Sequence, residues 1–376
     1  MTKQELEKLI TTKKIYDLDL SQTNVDDLDF SDCHLKNVVF SSEASKNREI
    51  VGLNFKNALL ESVSFDHASL IKCNFDQASP TKNPSISKVS FRDCQLLHCR
   101  FRHAHLSWTD FRYAEINGAT FEEATISFCD FYRAFLLGII IFRKSRISNS
   151  SLFYTYFEEG ATIRRDNLVN GRIIQQDKDT YLKFLVDWNE LGTGERKNDR
   201  NAEKSDWSPT KSMRARFEDA EDIYKGLNGL WMSRGFYADA NWAYVQGRRA
   251  ERRRMLADFV HKPSGLLRKI SLALSILWSF ISDLMFGYGE SIGKMILSYF
   301  IIIFLFAFFY YASSEVDIGT YSYATVISLK NMVAISSNEV EGVSPLVDLL
   351  NVLQTTLGIL ITGIFGFILG NKIRNQ

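Results

Sequence analysis

The chain of 376 residues is nearly neutral, with 45 lysines and arginines against 44 aspartates and glutamates. This balance excludes a chain-wide basic surface for duplex DNA and equally excludes a strongly acidic mimic of DNA. Hydrophobic residues make up 45% of the sequence, which excludes wholesale disorder, and the 28 phenylalanines favour a phenylalanine-based repeat, a membrane segment, or both.

The five cysteines all lie N-terminal to residue 130, and no two of them form a Cys-X-X-Cys pair. Met1–Leu20 is charged throughout and does not have the pattern of a secretory signal peptide. An odd number of unpaired thiols fits a reducing cytosol. The cysteines are Cys33, Cys73, Cys94, Cys99 and Cys129.

A large apolar residue recurs every five positions through the first part of the chain, and phenylalanine alternates with leucine or isoleucine. A small residue, usually alanine or cysteine, stands two positions before it. This period matches neither a helix nor a strand, so the backbone must turn a corner every five residues. The longest run is Phe91, Leu96, Phe101, Leu106, Phe111, Ile116, Phe121, Ile126, Phe131 and Leu136.

The repeated unit has a recognisable form in Ala68-Ser69-Leu70, Cys73-Asn74-Phe75 and Cys129-Asp130-Phe131. Residues 15–165 resemble the pentapeptide-repeat family, whose pattern is A(D/N)LXX. The resemblance implies a right-handed quadrilateral β-helix with about 20 residues per coil, in which the large residue and the small one before it point inward. We expect loops at Ser41–Glu49 and Asp76–Ser85 and a one-residue slip near Phe142.

The inward and outward positions of the repeat bear on two possible functions of the solenoid, metal binding and DNA mimicry. Cys94, His98, Cys99, His103 and His105 have the residue types of a metal site. The cysteines take the inward position, however, whereas His98 and His103 fall on outward positions, so we interpret the cysteines as small buried hydrophobic residues and expect no cofactor. The solenoid also lacks the acidic bias of gyrase-inhibiting relatives that mimic DNA, which favours a scaffold or oligomerisation role.

Helical spacing replaces the repeat beyond Ile173. We predict a short helix at Thr180–Leu191, a loop at Gly192–Pro209, and a helical hairpin whose second arm starts near Tyr237 and stops before Pro263. Aromatic and basic residues interleave along this hairpin, which suits a nucleotide or a short single-stranded nucleic acid. The alternative is that the aromatics pack and the bases face lipid phosphates. The candidate ligand-binding residues are Trp231, Arg234, Tyr237, Trp242, Tyr244, Arg248 and Arg249.

Two stretches, Met295–Ser314 and Leu349–Asn371, carry no charge. Each can cross a hydrocarbon core of about 30 Å at roughly 1.5 Å per residue. Leu266–Met285 is also apolar but carries Arg268, Lys269 and Asp283, so we predict an amphipathic helix at the membrane surface. We therefore assign an interfacial helix at 266–285, spans at 294–314 and 348–370, and a pore loop at 320–345.

The basic residues set the predicted orientation of these spans. Lysines and arginines precede the first span and follow the second, while the loop Glu315–Asp348 has one base, Lys330, and five acids. The positive-inside rule then places both termini in the cytoplasm, with the chain in the cytoplasmic (inner) membrane.

Between the spans, Tyr321–Ala334 is semi-apolar and too short to cross. This order of span, short helix, extended segment and span resembles the two-transmembrane pore domain of potassium-channel-like proteins, which implies a homotetramer around a central pore. The resemblance aligns the filter with Ala334, Ile335, Ser336, Ser337, Asn338 and Glu339, where Ser336 and Asn338 replace the two glycines. Because a carbonyl-lined filter needs glycines at positive φ, we predict a wider, weakly selective pore for monovalent cations.

The sequence thus predicts three parts: a β-helix at 1–170, a helical linker or sensor at 171–262, and a membrane domain at 263–376. We expect a ligand-gated cation channel in membrane lipid. The alternative is a membrane-anchored scaffold that docks a cytoplasmic partner without conducting ions. The sequence contains no GxSxG, P-loop, HExxH or paired-carboxylate pattern, so we do not expect an enzyme. Its layout is also similar to that of toxic membrane effectors of bacterial phage defence, by analogy alone.

Overall fold

The computed structural model describes residues 1–80, 88–190, 209–262, 265–313, 320–335 and 345–374. The chain divides into two compact units, Met1–Lys262 and Pro263–Gln376. The first unit contains a solenoid of short parallel strands with flanking helices. Within the described ranges, the regular elements of the second unit are all helical.

The solenoid follows helix α1 (Lys3–Ile10), which starts with a capping box between Thr2 and Glu5. Its strands pair in parallel with strands of the next coil, as a β-helix requires. The strands are β1 Lys14–Asp19, β2 His34–Ser41, β3 Glu49–Val51, β4 Leu59–Phe65, β5 Ser69–Ile71, β6 Ser79–Pro80, β7 Val89–Ser90, β8 Gln95–Leu97, β9 His105–Ser107, β10 Glu115–Asn117, β11 Thr125–Ser127, β12 Phe135–Leu137, β13 Arg146–Ser148 and β14 Tyr156–Phe157.

The strand register confirms the length of one coil. Leu96, Ile116 and Leu136 pair in register across β8, β10 and β12, so the chain returns to the same face every 20 residues. Leu136 then pairs with Phe157, one residue later than this interval requires. That displacement is the slip predicted near Phe142 from the sequence.

Longer intervals mark the two predicted loops. Leu35 pairs with Leu60, and Leu70 pairs with Leu96, so each of these coils holds extra residues. The extra residues of the first coil include a short 3₁₀ turn at Glu43–Ser45. Those of the second coil include residues 81–87, which lie outside the described part of the chain.

Two columns of phenylalanine rings fill the solenoid. Within a column, successive rings stack nearly parallel with centroids 4.7 to 5.3 Å apart, close to the spacing of neighbouring strands. The two columns meet edge to face, which is a favourable arrangement for aromatic quadrupoles. One column is Phe30, Phe55, Phe75, Phe101, Phe121 and Phe142, and the other is Phe40, Phe65, Phe91, Phe111 and Phe131.

The small residues of the repeat lie inside, as predicted. All five cysteines are free and buried, whereas His98, His103 and His105 are exposed on the outer surface. Thiols and imidazoles therefore lie on opposite sides of the wall. Burial raises the pKa of the Cys129 thiol to about 12, as expected for a cysteine that serves as a small apolar residue.

The corners of the coil are made by residues in the left-handed backbone region. Throughout the run from Phe91 to Leu136, the residue two positions after each large apolar residue has a positive φ, even where it is aromatic, as at Trp108 (φ 55°) and Phe128 (φ 54°). Such a conformation is unfavourable for a residue with a Cβ atom, so the surrounding strand pairing must hold it. The five-residue period required a corner but did not show its backbone conformation.

Helix α2 (Lys178–Glu190) packs on the flank of the solenoid. Tyr181 and Phe184 form a small separate core with Ile174 and Trp108, and the Phe128 ring stacks on Trp108 at 4.9 Å. The predicted loop Gly192–Pro209 lies almost entirely outside the described residues.

The predicted hairpin is present as α3 (Pro209–Ser233) and α4 (Tyr237–His261). Gly235, with φ +73°, makes the tight turn between them. The hairpin packs on the last coils, because Trp231 and Ala240 belong to the same apolar core as the phenylalanine columns. It therefore closes the C-terminal end of the solenoid.

The second unit comprises α5 (Leu266–Phe286), α6 (Ile292–Ala312), α7 (Tyr321–Met332) and α8 (Pro345–Arg374). Three stretches in its described residues are long and apolar enough to cross a membrane: Leu266–Gly289, Ile292–Ala312 and Pro345–Gly370. The first includes the helix that the sequence assigned to the membrane surface. Length and composition alone therefore allow a third span.

Candidate functional site

The short helix α7 is held between α6 and α8 by buried polar side chains. The Tyr310 hydroxyl donates to Gln354 Oε1 at 3.0 Å and accepts from Asn331 Nδ2 at 3.2 Å. Gln354 Nε2 donates to the Ser328 carbonyl at 2.9 Å. The Ser328 hydroxyl in turn donates to the carbonyl of Ile303 at 2.7 Å. These bonds link α6, α7 and α8 into one network.

The network lies in an apolar surrounding. Its four polar side chains, those of Tyr310, Ser328, Asn331 and Gln354, are at most 1% exposed. A buried polar group left without a partner costs about 1–3 kcal/mol, so the network strongly favours one position and rotation of α7. Sequence analysis missed these residues. The available signal was the presence of glutamine and asparagine within or beside apolar spans, where polar side chains are rare.

A glycine permits the closest approach between α7 and α8. A Cβ atom placed on Gly358 would lie 2.2 Å from the carbonyl oxygen of Met332, the last residue of α7. No side chain fits in that space, so the end of α7 rests directly on the backbone of α8. Beside this contact lies an apolar cavity of about 560 Å³, whose walls include Tyr299 and Phe365.

The predicted filter begins where α7 ends. Ala334 has φ 58°, and the N–H of Ile335 donates to the Lys330 carbonyl at 2.9 Å, which together close the helix. The Ile335 side chain is 58% exposed in the single chain. Ser336, Ser337, Asn338 and Glu339 lie outside the described residues, so the filter itself stays a prediction from the sequence.

Two of the predicted ligand-binding residues anchor the hairpin to the solenoid. Trp231 is fully buried, and its Nε1 donates to the carbonyl of Ile163 at 2.8 Å. The Arg234 guanidinium donates from Nη1 to the carbonyls of Glu159 and Ala161 at 2.8 and 2.9 Å. In this structure, Trp231 presents no ring surface to a ligand.

Three further predicted residues lie on α4 outside the polar cavity described below. Tyr237 and Tyr244 have exposed side chains, and neither lines the polar cavity described below. Arg248 pairs with Glu251 one turn further along the helix. Their proposed role in ligand binding stays a prediction.

The remaining two, Trp242 and Arg249, line one polar cavity of about 380 Å³. This cavity lies between the hairpin and the segment that follows the solenoid. The guanidinium of Arg165 covers one face of the Trp242 ring at 4.8 Å. Sequence analysis missed the contribution of Arg172 and Gln175 to this cavity, because they lie outside both the repeat and the hairpin pattern.

The N-terminal part of the chain has counterparts among known proteins. Residues 90–127 and 99–136 match the family model of pentapeptide repeats, with eight copies. The parallel sheets of the first unit are therefore those of a pentapeptide-repeat β-helix. No curated protein matches the chain.

Solved structures similar to the chain include several pentapeptide-repeat proteins. One comes from the thylakoid lumen of Arabidopsis thaliana (18% identity, 30% of this chain, 69% of that chain, TM-score 0.19). HetL of the cyanobacterium Nostoc, a protein involved in regulating heterocyst differentiation, is 15% identical over 43% of this chain and 70% of its own, with a TM-score of 0.19. Rfr23 of the cyanobacterium Cyanothece is 11% identical over 42% of this chain and 96% of its own, with a TM-score of 0.22.

Proposed function

We propose that this pentapeptide-repeat protein is a weakly selective cation channel. In this proposal it is a homotetramer in the lipid of the inner membrane, with two spans, cytoplasmic termini, and a first unit that responds to a ligand. The observation that carries the proposal is the buried network that fixes α7 between α6 and α8.

The length of α7 is the reason why this network supports a channel. Its 12 residues span about 18 Å at roughly 1.5 Å per residue, well short of a hydrocarbon core of about 30 Å. A helix that ends inside a membrane exposes backbone groups, which are tolerated only against protein or a water-filled cavity. Gly358 and the network place protein along one side of α7. A channel lumen would supply the water at its end.

The decisive experiment is recording from the purified full chain in planar bilayers under asymmetric salt. We expect cation-selective currents with poor discrimination between sodium and potassium. Gln354→Leu should abolish the current, because it removes the bonds from α8 to Ser328 and Tyr310. The control is Thr356→Val, on the exposed face of the same helix, where the hydroxyl donates to the Val352 carbonyl one turn earlier. Wild-type protein that stays silent both with and without added nucleotide, or equal currents from both variants, would refute the proposal.

A charge reversal tests the predicted mouth of the pore. Glu339→Lys would place four positive charges there in a tetramer, and their repulsion of a cation is worth kilocalories at a few ångströms even in an effective dielectric near 20. We expect loss of cation current or a reversed selectivity. Glu315→Lys makes the same charge change at the start of the loop and should have a smaller effect. Unchanged reversal potentials in Glu339→Lys would place the conduction path elsewhere.

The second candidate function is a membrane-anchored scaffold, which the match to pentapeptide repeats favours. The two functions differ in stoichiometry and in toxicity. A channel requires several copies, since two spans cannot enclose a lumen, so mass photometry in detergent should show four chains. An open pore should also depolarise cells and slow their growth, as expected of a toxic defence effector. Monomers without effect on growth would favour the scaffold.

A further inference from the structure

The polar cavity between the hairpin and the solenoid has the composition of a ligand site. Arginines from two separate segments line it: Arg172 from the chain after the last coil, and Arg249 and Arg253 from α4. Aspartate and glutamate are absent from its described lining. Arg172 and Arg253 make no salt bridge to a carboxylate within the described parts of the chain.

Two residues that line this cavity carry buried polar atoms without partners in the described part of the chain. Gln175 is 1% exposed, and neither its Nε2 nor its Oε1 atom has a hydrogen-bond partner among the described residues. The same holds for the hydroxyl of Tyr224, which is also 1% exposed. Buried amides and hydroxyls are paired in most folded proteins. Two such groups lining one cavity therefore indicate an absent bonding partner.

The positive charge extends behind the cavity wall. Arg216 is 8% exposed, and its guanidinium lies 4.6 Å from the ring of Phe217, which lines the cavity. Burial and the nearby Arg253 lower the pKa of Arg216, although Tyr181, Asp177 and Asp179 oppose the shift. The wall thus favours an anion, because a negative charge in the cavity would offset a desolvated positive cluster.

We propose that this cavity binds a small organic phosphate of about mononucleotide size. The arginines would hold the phosphate, while the Gln175 amide and the Tyr224 hydroxyl would bond the sugar or the base. A volume of about 380 Å³ lies at the lower end of the roughly 300–1,000 Å³ range of ligand pockets. It suits one nucleotide better than the single strand also considered from the sequence. The proposal that this ligand binds depends only on residues of the first unit. A role for the ligand in opening the pore rests in addition on the proposed channel.

The test is calorimetric titration of the full chain in detergent with AMP, ATP, cyclic AMP, inorganic phosphate and a short oligonucleotide, at two salt concentrations. We expect a mononucleotide to bind and its affinity to fall as salt rises. Arg172→Gln and Arg253→Gln should each weaken binding at least ten-fold. Lys225→Gln removes a charge from the exposed side of α3, outside the cavity, and should bind like the wild type.

Gln175→Leu separates a ligand site from a packing defect. Because the amide has no protein partner, leucine should leave the melting temperature of the ligand-free protein unchanged or raise it, while nucleotide affinity falls at least ten-fold. Absence of nucleotide binding at low salt would overturn the proposal. So would binding that persists in Gln175→Leu and Arg253→Gln, or equal affinity for inorganic phosphate alone. Bilayer currents are measured separately, so failure of this site and failure of the channel are distinguishable.

Discussion

A single phenylalanine in a column is held by its neighbours in both directions. Phe101 stacks on Phe75 and on Phe121 with centroids 4.9 Å apart and is fully buried. Phe101→Ala should destabilise the solenoid by about 3–5 kcal/mol, because strand pairing on both sides prevents collapse of the cavity. Thermal melting of the full chain in detergent measures this loss. Gln95→Ala, on the outer surface of the same region, should change the stability by less than about 0.5 kcal/mol.

Two carboxylates of the solenoid should change the stability of the fold in opposite directions as pH rises. Burial raises the pKa of Asp66, with a smaller contribution from Asp110 in the same direction and an opposing one from the Ser90 hydroxyl. For Asp76, burial also acts upward, but the bonds from Arg102 and Arg100 outweigh it and lower the pKa. The folded state thus favours the protonated form of Asp66 and the ionised form of Asp76.

The contribution of Asp66 to the free energy of unfolding is therefore fully present below its ordinary pKa of about 4. This contribution is lost as pH rises through the raised pKa of the folded state. The contribution of Asp76 is present above its ordinary pKa and is lost as pH falls through the lowered pKa of the folded state. Asp66→Asn should raise the melting temperature at pH 7 and lose this advantage near pH 4. Asp76→Asn should lower it at pH 7. Parallel pH profiles for both variants would contradict these assignments.

At the scale of elements, the sequence predicted the solenoid well because each coil repeats the same inward residues. A five-residue period reports directly which side chains meet, and the phenylalanine columns follow from it. The hairpin shows where such inference ends. Helical spacing identified its apolar face but not what that face contacts, and Trp231, predicted as a ligand contact, closes the end of the solenoid instead. The polar cavity combines three distant segments, which no local pattern reports.

The contact between α7 and α8 gives a prediction at this scale. Alanine usually stabilises a helix relative to glycine by roughly 0.5–1 kcal/mol. Gly358→Ala should do the reverse, because its Cβ atom would meet the Met332 carbonyl at 2.2 Å and force the two helices apart. Gly363→Ala, on the same helix with no atom within 4 Å of the added Cβ, is the matched control. We expect lower thermal stability and lower current for Gly358→Ala alone.

For the whole molecule, the number of spans determines on which side of the membrane the C-terminus lies. If α5 lies at the surface, the chain crosses twice and Lys372 and Arg374 stay in the cytoplasm. If α5 crosses as well, these residues and the terminus lie outside, against the positive-inside rule. At the corner between α5 and α6, Lys294 pairs with Asp283 at 3.1 Å. The Lys294 ammonium thus compensates the charge of Asp283 near the end of α5. A two-span arrangement places this end of α5 at the cytoplasmic interface of the membrane.

Thiol labelling can measure this topology, because all five native cysteines are buried and free. Gln376→Cys should react with a membrane-impermeant maleimide in inverted vesicles but not in intact cells. Glu341→Cys, in the acidic loop, should show the opposite pattern. Labelling of the C-terminal thiol from outside intact cells would establish the third span.

The two ends of the solenoid are both covered. Helix α1 places Leu6 and Ile10 in the apolar core at one end, and the hairpin places Trp231 in it at the other. An uncovered coil would present unpaired backbone groups and a bare phenylalanine ring, on which the solenoid of a second molecule could continue the stack. Because both ends are covered, we expect that copies of this chain do not join end to end into fibres.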